Sequence, residues 1–275
     1  MEKYTLLNGM SIPKIGFGTY KLNGTSGANS IKHAIDNGYR LIDTAYNYEN
    51  EGAVGQGIQT SKVDRSEVLV TSKLPGRYYH ENSIETIQES LYRSQLDYFD
   101  LYLLHWPNPE DDHYVEAWET LIEAQKFGLV RNIGVCNFLP EHIDRLEKET
   151  GVLPVINQIE LHPLFNQKEQ RAYNESKGIL TEAWSPLGRA SSVLEDETLQ
   201  QIAKSHNKNV GQIILRWEIQ LGVVPIPKSS SDKNQLANLD VFDFMLSDSE
   251  MMNINSMSRP DGRTHDQNPE TYQEF

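Results

Sequence analysis

Short runs rich in valine, isoleucine and leucine alternate with longer segments of helical periodicity along almost the whole chain. Eight runs are predicted to be strands, at residues 14–18, 41–43, 68–72, 101–104, 133–135, 156–159, 180–183 and 223–226. Segments between or after them with helical spacing include residues 83–94, 115–127, 140–150, 196–206 and 211–220. Because no Pro/Gly/Ser-rich linker interrupts the alternation, we predict one α/β domain over residues 1–275, a (β/α)8 TIM barrel.

The two ends of the chain depart from this alternation. Residues 4–18 alternate apolar and polar side chains around Asn8 and Gly9, a dipeptide that favours a tight turn. This pattern predicts an N-terminal β-hairpin that leads into the first strand. After residue 246 the sequence allows one last helix, and a polar tail follows whose composition does not fix where it lies.

The charge of the chain restricts its partners. Thirty-nine acidic residues against 25 basic ones give a formal net charge of −14, spread along the sequence. Such a field repels nucleic acid and anionic lipid, so we expect neither as a partner.

The single cysteine, Cys136, excludes an internal disulfide and suits a reducing compartment. No run approaches the roughly 20 apolar residues of a membrane span, so we expect a cytoplasmic protein.

Polar side chains stand at three neighbouring strand ends. Asp43 ends the second predicted strand and Tyr48 lies in its loop, Lys73 follows the third strand, and His105 follows the fourth. Each alone has an ordinary structural explanation, as a helix cap, a packing residue, a solvated lysine or a core histidine. Because the carboxyl ends of barrel strands meet at one mouth, we expect the four to converge there.

These four groups together suit the reduction of a carbonyl. A tyrosine has an ordinary pKa of about 10 and needs a neighbouring cation to stabilise its phenolate, which Lys73 can supply while Asp43 orients the lysine. His105 would hydrogen-bond the substrate oxygen beside an apolar wall from Trp106. No side chain donates a hydride, so this chemistry needs a cofactor.

The chain resembles the aldo-keto reductase family over nearly its whole length. Eight short motifs, in this order along the chain, carry the resemblance: GFGTY (16–20), DTAYNYENE (43–51), TSKLP (71–75), LLHWP (103–107), GVCNF (134–138), QIELHP (158–163), SPLGR (185–189) and IPKS (226–229). The resemblance implies a (β/α)8 barrel with Asp43, Tyr48, Lys73 and His105 as its catalytic tetrad. We interpret Asn50 and Glu51, at the end of the second motif, as the start of the next helix.

The resemblance also implies a nicotinamide cofactor, NADP(H), bound without a Rossmann fingerprint. The glycines at positions 52, 55 and 57 are not in GxGxxG order, which agrees with this. By position, Asn137 and Gln158 would hold the carboxamide and Trp184 would stack on the nicotinamide ring. The remaining implied cofactor contacts are Ser185 and Leu187 along the pyrophosphate, and Lys228, Ser229 and Asn238 near the adenosine end.

Two positions depart from the family pattern. Many members have a serine where this chain has Cys136, and a thiol is a weaker hydrogen-bond donor than a hydroxyl. Members that prefer NADP usually place an arginine six residues after the lysine corresponding to Lys228, whereas this chain has Asn234, with Lys233 before it. Lys228 still favours NADP(H), but a lysine cannot copy the bidentate grip of an arginine on a phosphate, so this preference is weakened and NAD(H) stays open.

Aromatic residues near the predicted mouth suggest the substrate. We nominate Tyr20, Tyr46 and Trp106 as walls of the substrate pocket, with Arg77 and residues 78–80 in the loop after Lys73. Aromatic walls around a polar tetrad suit small aldehydes, dicarbonyls and keto-sugars. The sequence does not name the physiological carbonyl.

Three functions remain open from the sequence. The main hypothesis is an NADPH-dependent reductase of small carbonyls, with Tyr48 as proton donor. The second is a nicotinamide-binding sensor or accessory subunit on the same barrel, with little turnover. The third is a metal-dependent or phosphate-isomerase barrel, against which His105 lacks a matching set of ligands at metal spacing, so we expect no metal. We expect a monomer.

Overall fold

The chain begins with a β-hairpin. The structure is a computed structural model, and it describes residues 2–190, 192–265 and 267–274. Strands β1 (Lys3–Thr5) and β2 (Ser11–Pro13) pair antiparallel. Gly9 in their connection has φ of 86°, in the left-handed region that glycine adopts without a steric penalty. The predicted hairpin is confirmed.

Eight further strands form one parallel sheet whose order follows the sequence. They are β3 (Phe17–Gly18), β4 (Leu41–Asp43), β5 (Leu69–Leu74), β6 (Leu101–Leu104), β7 (Ile133–Cys136), β8 (Ile156–Glu160), β9 (Leu180–Trp184) and β10 (Val224–Pro225). All eight predicted strands are confirmed, with ends that differ by at most three residues.

Backbone hydrogen bonds join the first strand of this sheet to the last. The Gly16 N–H donates to Pro225 O at 2.9 Å, and the Gly18 N–H donates to Pro227 O at 3.2 Å. A Cβ at Gly18 would lie 2.8 Å from the carbonyl oxygen of Ile226, so a glycine is needed at this close approach. The sheet is therefore closed into the predicted barrel.

Helices cover the outside of the barrel. The described residues include α1 (Gly24–Asn37), α2 (Glu51–Thr60), α3 (Ser83–Ser94), α4 (Tyr114–Lys126), α5 (Pro140–Thr150), α6 (Lys168–Ser176), α7 (Glu197–His206), α8 (Val210–Gln220), α9 (Asp232–Leu239) and α10 (Asp248–Asn255). Helix α7 begins one residue later than predicted because Asp196 is its N-cap, whose side chain accepts from the Leu199 N–H. Helices α7 and α10 are additional to the eight strand–helix units and contact each other. None of the described helices has the length and apolar character of a membrane span.

The two-residue period of the strands separates an inner face from an outer one. In β6, Leu101 and Leu103 pack with Leu6 and Ile12 of the hairpin region, whereas Tyr102 belongs to the cluster beneath the outer helices. The hairpin thus closes the amino-terminal end of the barrel. The same alternation continues past the inner leucines toward the carboxyl ends of the strands. Polar residues two positions further along the chain therefore face the opposite end of the barrel, where the mouth lies.

Candidate active site

A buried ion pair forms the floor of the mouth. Lys73 is fully buried in β5, and its Nζ lies 2.7 Å from both carboxylate oxygens of Asp43 and 2.8 Å from Thr44 O. Burial alone would lower the pKa of Lys73, but Asp43 and Tyr48 raise it further than burial lowers it. The side chain therefore stays an ammonium, as the predicted role requires.

Tyr48 lies above this ammonium. It ends a short 3-10 turn after β4, and its ring centroid is 5.0 Å from Lys73 Nζ. Burial raises the pKa of Tyr48, and the opposing effect of Lys73 does not cancel it. The sequence-based prediction considered only the cation and omitted burial. In this structure the phenol keeps its proton at neutral pH.

His105 completes the predicted group of four. It follows β6 directly, its backbone N–H donates to Leu74 O at 3.0 Å, and its ring centroid is 6.0 Å from that of Tyr48. Its Nδ1 lies 2.6 Å from Oε1 of Glu274. The structure therefore brings Asp43, Tyr48, Lys73 and His105 together at one end of the barrel.

Two of the residues expected to hold a nicotinamide contact each other. Trp184 Nε1 donates to Asn137 Oδ1 at 2.8 Å, and Asn137 Nδ2 donates to the carbonyl oxygen of His105 at 3.1 Å. Asn137 has φ of 63°, a conformation that asparagine tolerates better than most residues and that is often retained at functional sites. These bonds fix the Asn137 amide beside the tetrad.

Gln158, the third of these residues, donates hydrogen bonds to two acidic side chains. Its Nε2 donates to Asp43 Oδ2 at 2.8 Å and to Glu182 Oε2 at 2.6 Å. Glu182 is fully buried in β9, and burial and then the nearby Asp43 raise its pKa. The sequence analysis missed Glu182, although an acidic residue inside an apolar strand was an available signal.

A cavity of about 690 Å³ opens at the mouth. The predicted residues that line it are Tyr20, Asp43, Tyr48, His105, Trp106, Asn137, Gln158, Trp184, Ser185, Leu187 and Lys228. It extends from the tetrad past an amide and an indole to the exposed side chain of Lys228. Amide groups and an aromatic face at one end and a cation at the other fit a nicotinamide and a phosphate respectively.

Several predicted site residues lie outside the cavity lining. The hydroxyl of Tyr46 accepts from Arg93 of α3 at 2.7 Å, and its ring packs on Tyr78, so this tyrosine is engaged at the helix rather than at the cavity. Ser229 exchanges hydrogen bonds with the backbone of Ser231, and Asn238 is buried in α9. Arg77 and residues 78–80 do not line the cavity either.

The polar tail crosses the mouth. The Arg259 N–H donates to Leu164 O at 3.1 Å, and Thr264 donates from N and Oγ1 to the Glu160 carboxylate at 2.8 and 2.6 Å. Further on, the Tyr272 ring lies 4.4 Å from that of Trp106. The tail thus supplies cavity residues that the sequence analysis missed, because a tail without periodicity gives no signal of where it docks.

One group of side chains could hold a metal ion in the described part of the chain. The ligand atoms of His80, His113 and Glu116 lie within 4.8 Å of one another, and none of the three residues lines the cavity. The sequence analysis missed this group because its members come from separate loops and a helix.

The closed parallel barrel holds a protonated phenol over a buried lysine–carboxylate pair, and an amide-lined cavity lies beside them. This combination points to oxidoreductases that act on carbonyls. The chain belongs to the aldo/keto reductase family, whose model matches residues 14–259. It is therefore an NAD(P)H-dependent oxidoreductase by family.

Close relatives span nearly the whole chain. The 2,5-diketo-D-gluconic acid reductase B of Corynebacterium sp. (strain SHS752001) is 44% identical over 98% of this chain and 98% of its own length. The glyoxal reductase of Bacillus subtilis (strain 168) is 45% identical over 92% of each. A crystal structure of a Gox0644 mutant in complex with NADPH is 39% identical, with a TM-score of 0.94, and the match covers 99% of this chain and 98% of that chain.

Proposed function

We propose that this protein is an NADPH-dependent reductase of small aldehydes, dicarbonyls or keto-sugars, with Tyr48 as the proton donor. The observation that carries the proposal is a protonated phenol with its ring 5.0 Å from the buried Lys73 ammonium, at the wall of the cavity. Relatives named as reductases of 2,5-diketo-D-gluconic acid and of glyoxal support the substrate class.

Tyr48 and Lys73 act as one unit in this proposal. The phenol gives its proton to the carbonyl oxygen as negative charge develops there, and the ammonium stabilises the phenolate left behind. Asp43 holds the ammonium through both carboxylate oxygens, so the cation does not need to reorganise during the step. The proton is later restored from solvent through the open mouth.

His105 and Trp106 position the carbonyl. His105 lines the cavity at 6.0 Å from the Tyr48 ring, so a carbonyl oxygen between the two rings can meet both side chains. Trp106 is 5% exposed and packs on Tyr272, which gives an apolar wall that limits water.

The cofactor proposed for the cavity is NADPH, which supplies a hydride when bound. Asn137 and Gln158 would hold its carboxamide, and Trp184 would cover one face of the ring. Ser185 and Leu187 line the cavity between these residues and Lys228, whose exposed ammonium would meet the phosphate that distinguishes NADPH from NADH.

The setting of the enzyme is part of the same proposal. The net charge of −14 and a lone, buried Cys136 suit a monomeric, single-domain cytoplasmic protein that does not bind nucleic acid.

The decisive experiment compares NADPH with NADH in steady state over glyoxal, methylglyoxal, 2,5-diketo-D-gluconate, aromatic aldehydes and keto-sugars. We expect NADPH-linked turnover of at least one dicarbonyl or keto-sugar, unaffected by a chelator. Quenching of tryptophan fluorescence by NADPH is recorded in parallel. Strong quenching with turnover near zero on every substrate would overturn the proposal in favour of a nucleotide-binding sensor.

A further inference from the structure

Glu274, near the end of the tail, places its carboxylate against His105. Oε1 lies 2.6 Å from His105 Nδ1 and accepts from Asn47 Nδ2 at 2.7 Å, while Oε2 accepts from the Gly76 N–H at 3.2 Å. The side chain is only 8% exposed. Donors from three separate loops therefore surround a carboxylate carried by a polar tail.

The backbone at Glu274 is locked as firmly as its side chain. The Glu274 N–H donates to Asn108 Oδ1 at 3.1 Å, and Asn108 Nδ2 donates to Glu274 O at 2.9 Å. Asn108 is fully buried, and it lies so close to Gly76 that a Cβ there would be 2.1 Å from its Nδ2. These paired bonds and the glycine that admits them fix where the carboxylate stands.

The carboxylate is ionised at neutral pH. Burial alone would raise the pKa of Glu274, but His105 and the hydrogen bonds from Gly76 and Asn47 together hold this pKa below its ordinary value. An ionised carboxylate only accepts, so His105 Nδ1 must carry a proton at a separation of 2.6 Å. The oxygen lies off the direction of a well-aligned hydrogen bond, which leaves charge attraction as the main contribution to the contact.

A proton on Nδ1 determines what the other ring nitrogen can do. In a neutral ring protonated at Nδ1, Nε2 is a bare acceptor and cannot donate to a carbonyl oxygen. Only the imidazolium donates from both nitrogens at once. Reduction that relies on a donor at Nε2 therefore needs the cationic ring as long as Glu274 is in place.

We propose that Glu274 is a positioning residue that acts through His105 and makes the imidazolium the form that serves carbonyl reduction. This inference rests on the proposed function. The other titratable groups near the pair are Tyr48, Tyr79 and Cys136, whose pKa values burial raises, so all three are neutral where a histidine titrates. The charged groups Lys73 and Asp43 are paired with each other beneath Tyr48.

The test compares pH profiles of three variants. Glu274→Gln keeps the shape and removes the charge, Glu274→Asp keeps the charge, and Glu270→Gln makes the same change at an exposed position of the same tail. In wild type, kcat for NADPH-linked reduction should fall as pH rises, because the cationic ring is the form that donates to the carbonyl oxygen. In Glu274→Gln this fall should move to lower pH, with kcat at pH 8 reduced about tenfold, the effect expected when one close negative charge is removed.

The remaining variants separate charge from structure. Glu274→Asp should return the fall toward its wild-type pH, and Glu270→Gln should match wild type. In all three variants the KM for NADPH should stay within about twofold of the wild-type value, because none of the substituted residues touches the proposed cofactor residues. A factor of two corresponds to only a few tenths of a kcal/mol. Superimposable profiles of Glu274→Gln and wild type would overturn the inference.

A second measurement applies to the wild-type protein and needs no variant to fold or turn over. With ¹⁵N-labelled histidine, and His105→Gln used to assign the signal, the inference requires a protonated Nδ1 on His105 throughout the neutral range. A neutral ring protonated only at Nε2 would overturn it. Absence of carbonyl reduction by the wild type would instead count against the proposed function and leave the nitrogen signals to decide the role of Glu274.

Discussion

The Lys73 ammonium lies 2.7 Å from each carboxylate oxygen of Asp43, and the two side chains are 0% and 2% exposed. A third bond, 2.8 Å long, joins the ammonium to Thr44 O. Asp43 and Thr44 thus supply as many acceptors as the ammonium has donors. Lys73 therefore influences Tyr48 mainly by its charge, from a position that the carboxylate fixes.

Substitutions of this buried pair can distinguish its contribution to stability from its contribution to activity. Lys73→Met should lower the free energy of unfolding by about 3–5 kcal/mol, because it leaves the Asp43 carboxylate buried without its counter-charge. The double variant Lys73→Met, Asp43→Leu should recover most of that loss, since it removes both charges, yet stay inactive. Urea unfolding and NADPH-linked turnover measure the two effects. A Lys73→Met protein as stable as wild type would contradict the argument.

Tyr48 and Tyr46 provide a matched comparison within one short turn. Tyr48→Phe removes only the hydroxyl, and kcat should fall about 10²- to 10⁴-fold, the usual contribution of a general acid. Fluorescence quenching by NADPH should be retained. Tyr46→Phe should keep kcat within about threefold of wild type, because its hydroxyl is held by Arg93 outside the cavity lining. Equal losses in both variants would exclude Tyr48 as the specific donor.

Asn234 gives a test of cofactor choice. It lies exposed in the first turn of α9, six residues after Lys228. Asn234→Arg should lower the KM for NADPH about tenfold through a bidentate contact with the extra phosphate, and should leave the KM for NADH unchanged. Asn253→Arg, at an exposed position of α10, adds the same charge elsewhere as a control. If it strengthens NADPH binding as much, the effect is one of net charge alone.

The barrel was predictable because its strands have a local signature. Runs such as residues 101–104 are apolar on both faces, as buried parallel strands must be, and the structure places them as predicted. The first and last strands are shorter than their runs. In and just after the last strand, Pro225 and Pro227 offer carbonyls but no N–H, so the bonds that join it to the first strand are donated by Gly16 and Gly18.

The site was predictable where strand ends position its residues, and less so where loops do. Tyr46 and Tyr48 are two residues apart in one turn, yet only Tyr48 lines the cavity, because Arg93 on a distant helix holds the other hydroxyl. Glu274 and Tyr272 reach the mouth through hydrogen bonds and a ring contact with loops more than 150 residues earlier in the chain. No periodicity in the tail encodes such contacts.

Two buried carboxylates hold the tail, which makes its docking sensitive to acid. Despite burial, which favours the neutral acid, hydrogen bonds and a nearby histidine hold the pKa of Glu160 and of Glu274 below their ordinary value of 4.5. A carboxylate with a lowered pKa in the folded state stabilises that state fully above 4.5, and the contribution is lost as pH falls through the lowered value. Docking of the tail should therefore weaken below about pH 4.5, while the barrel strands, whose backbone bonds carry no charge, stay protected.

Hydrogen exchange, corrected for intrinsic rates, measures this difference. Protection of residues 258–265 and 267–274 should decrease between pH 6 and pH 3 more than that of β5 and β6. In Glu160→Gln the Thr264 contacts lose their charged acceptor, so residues 258–265 should already exchange faster at pH 6. Glu89→Gln, on the exposed face of α3, should leave exchange of the tail unchanged. Equal protection of the tail at both pH values in the wild type would show that its docking does not depend on these carboxylates.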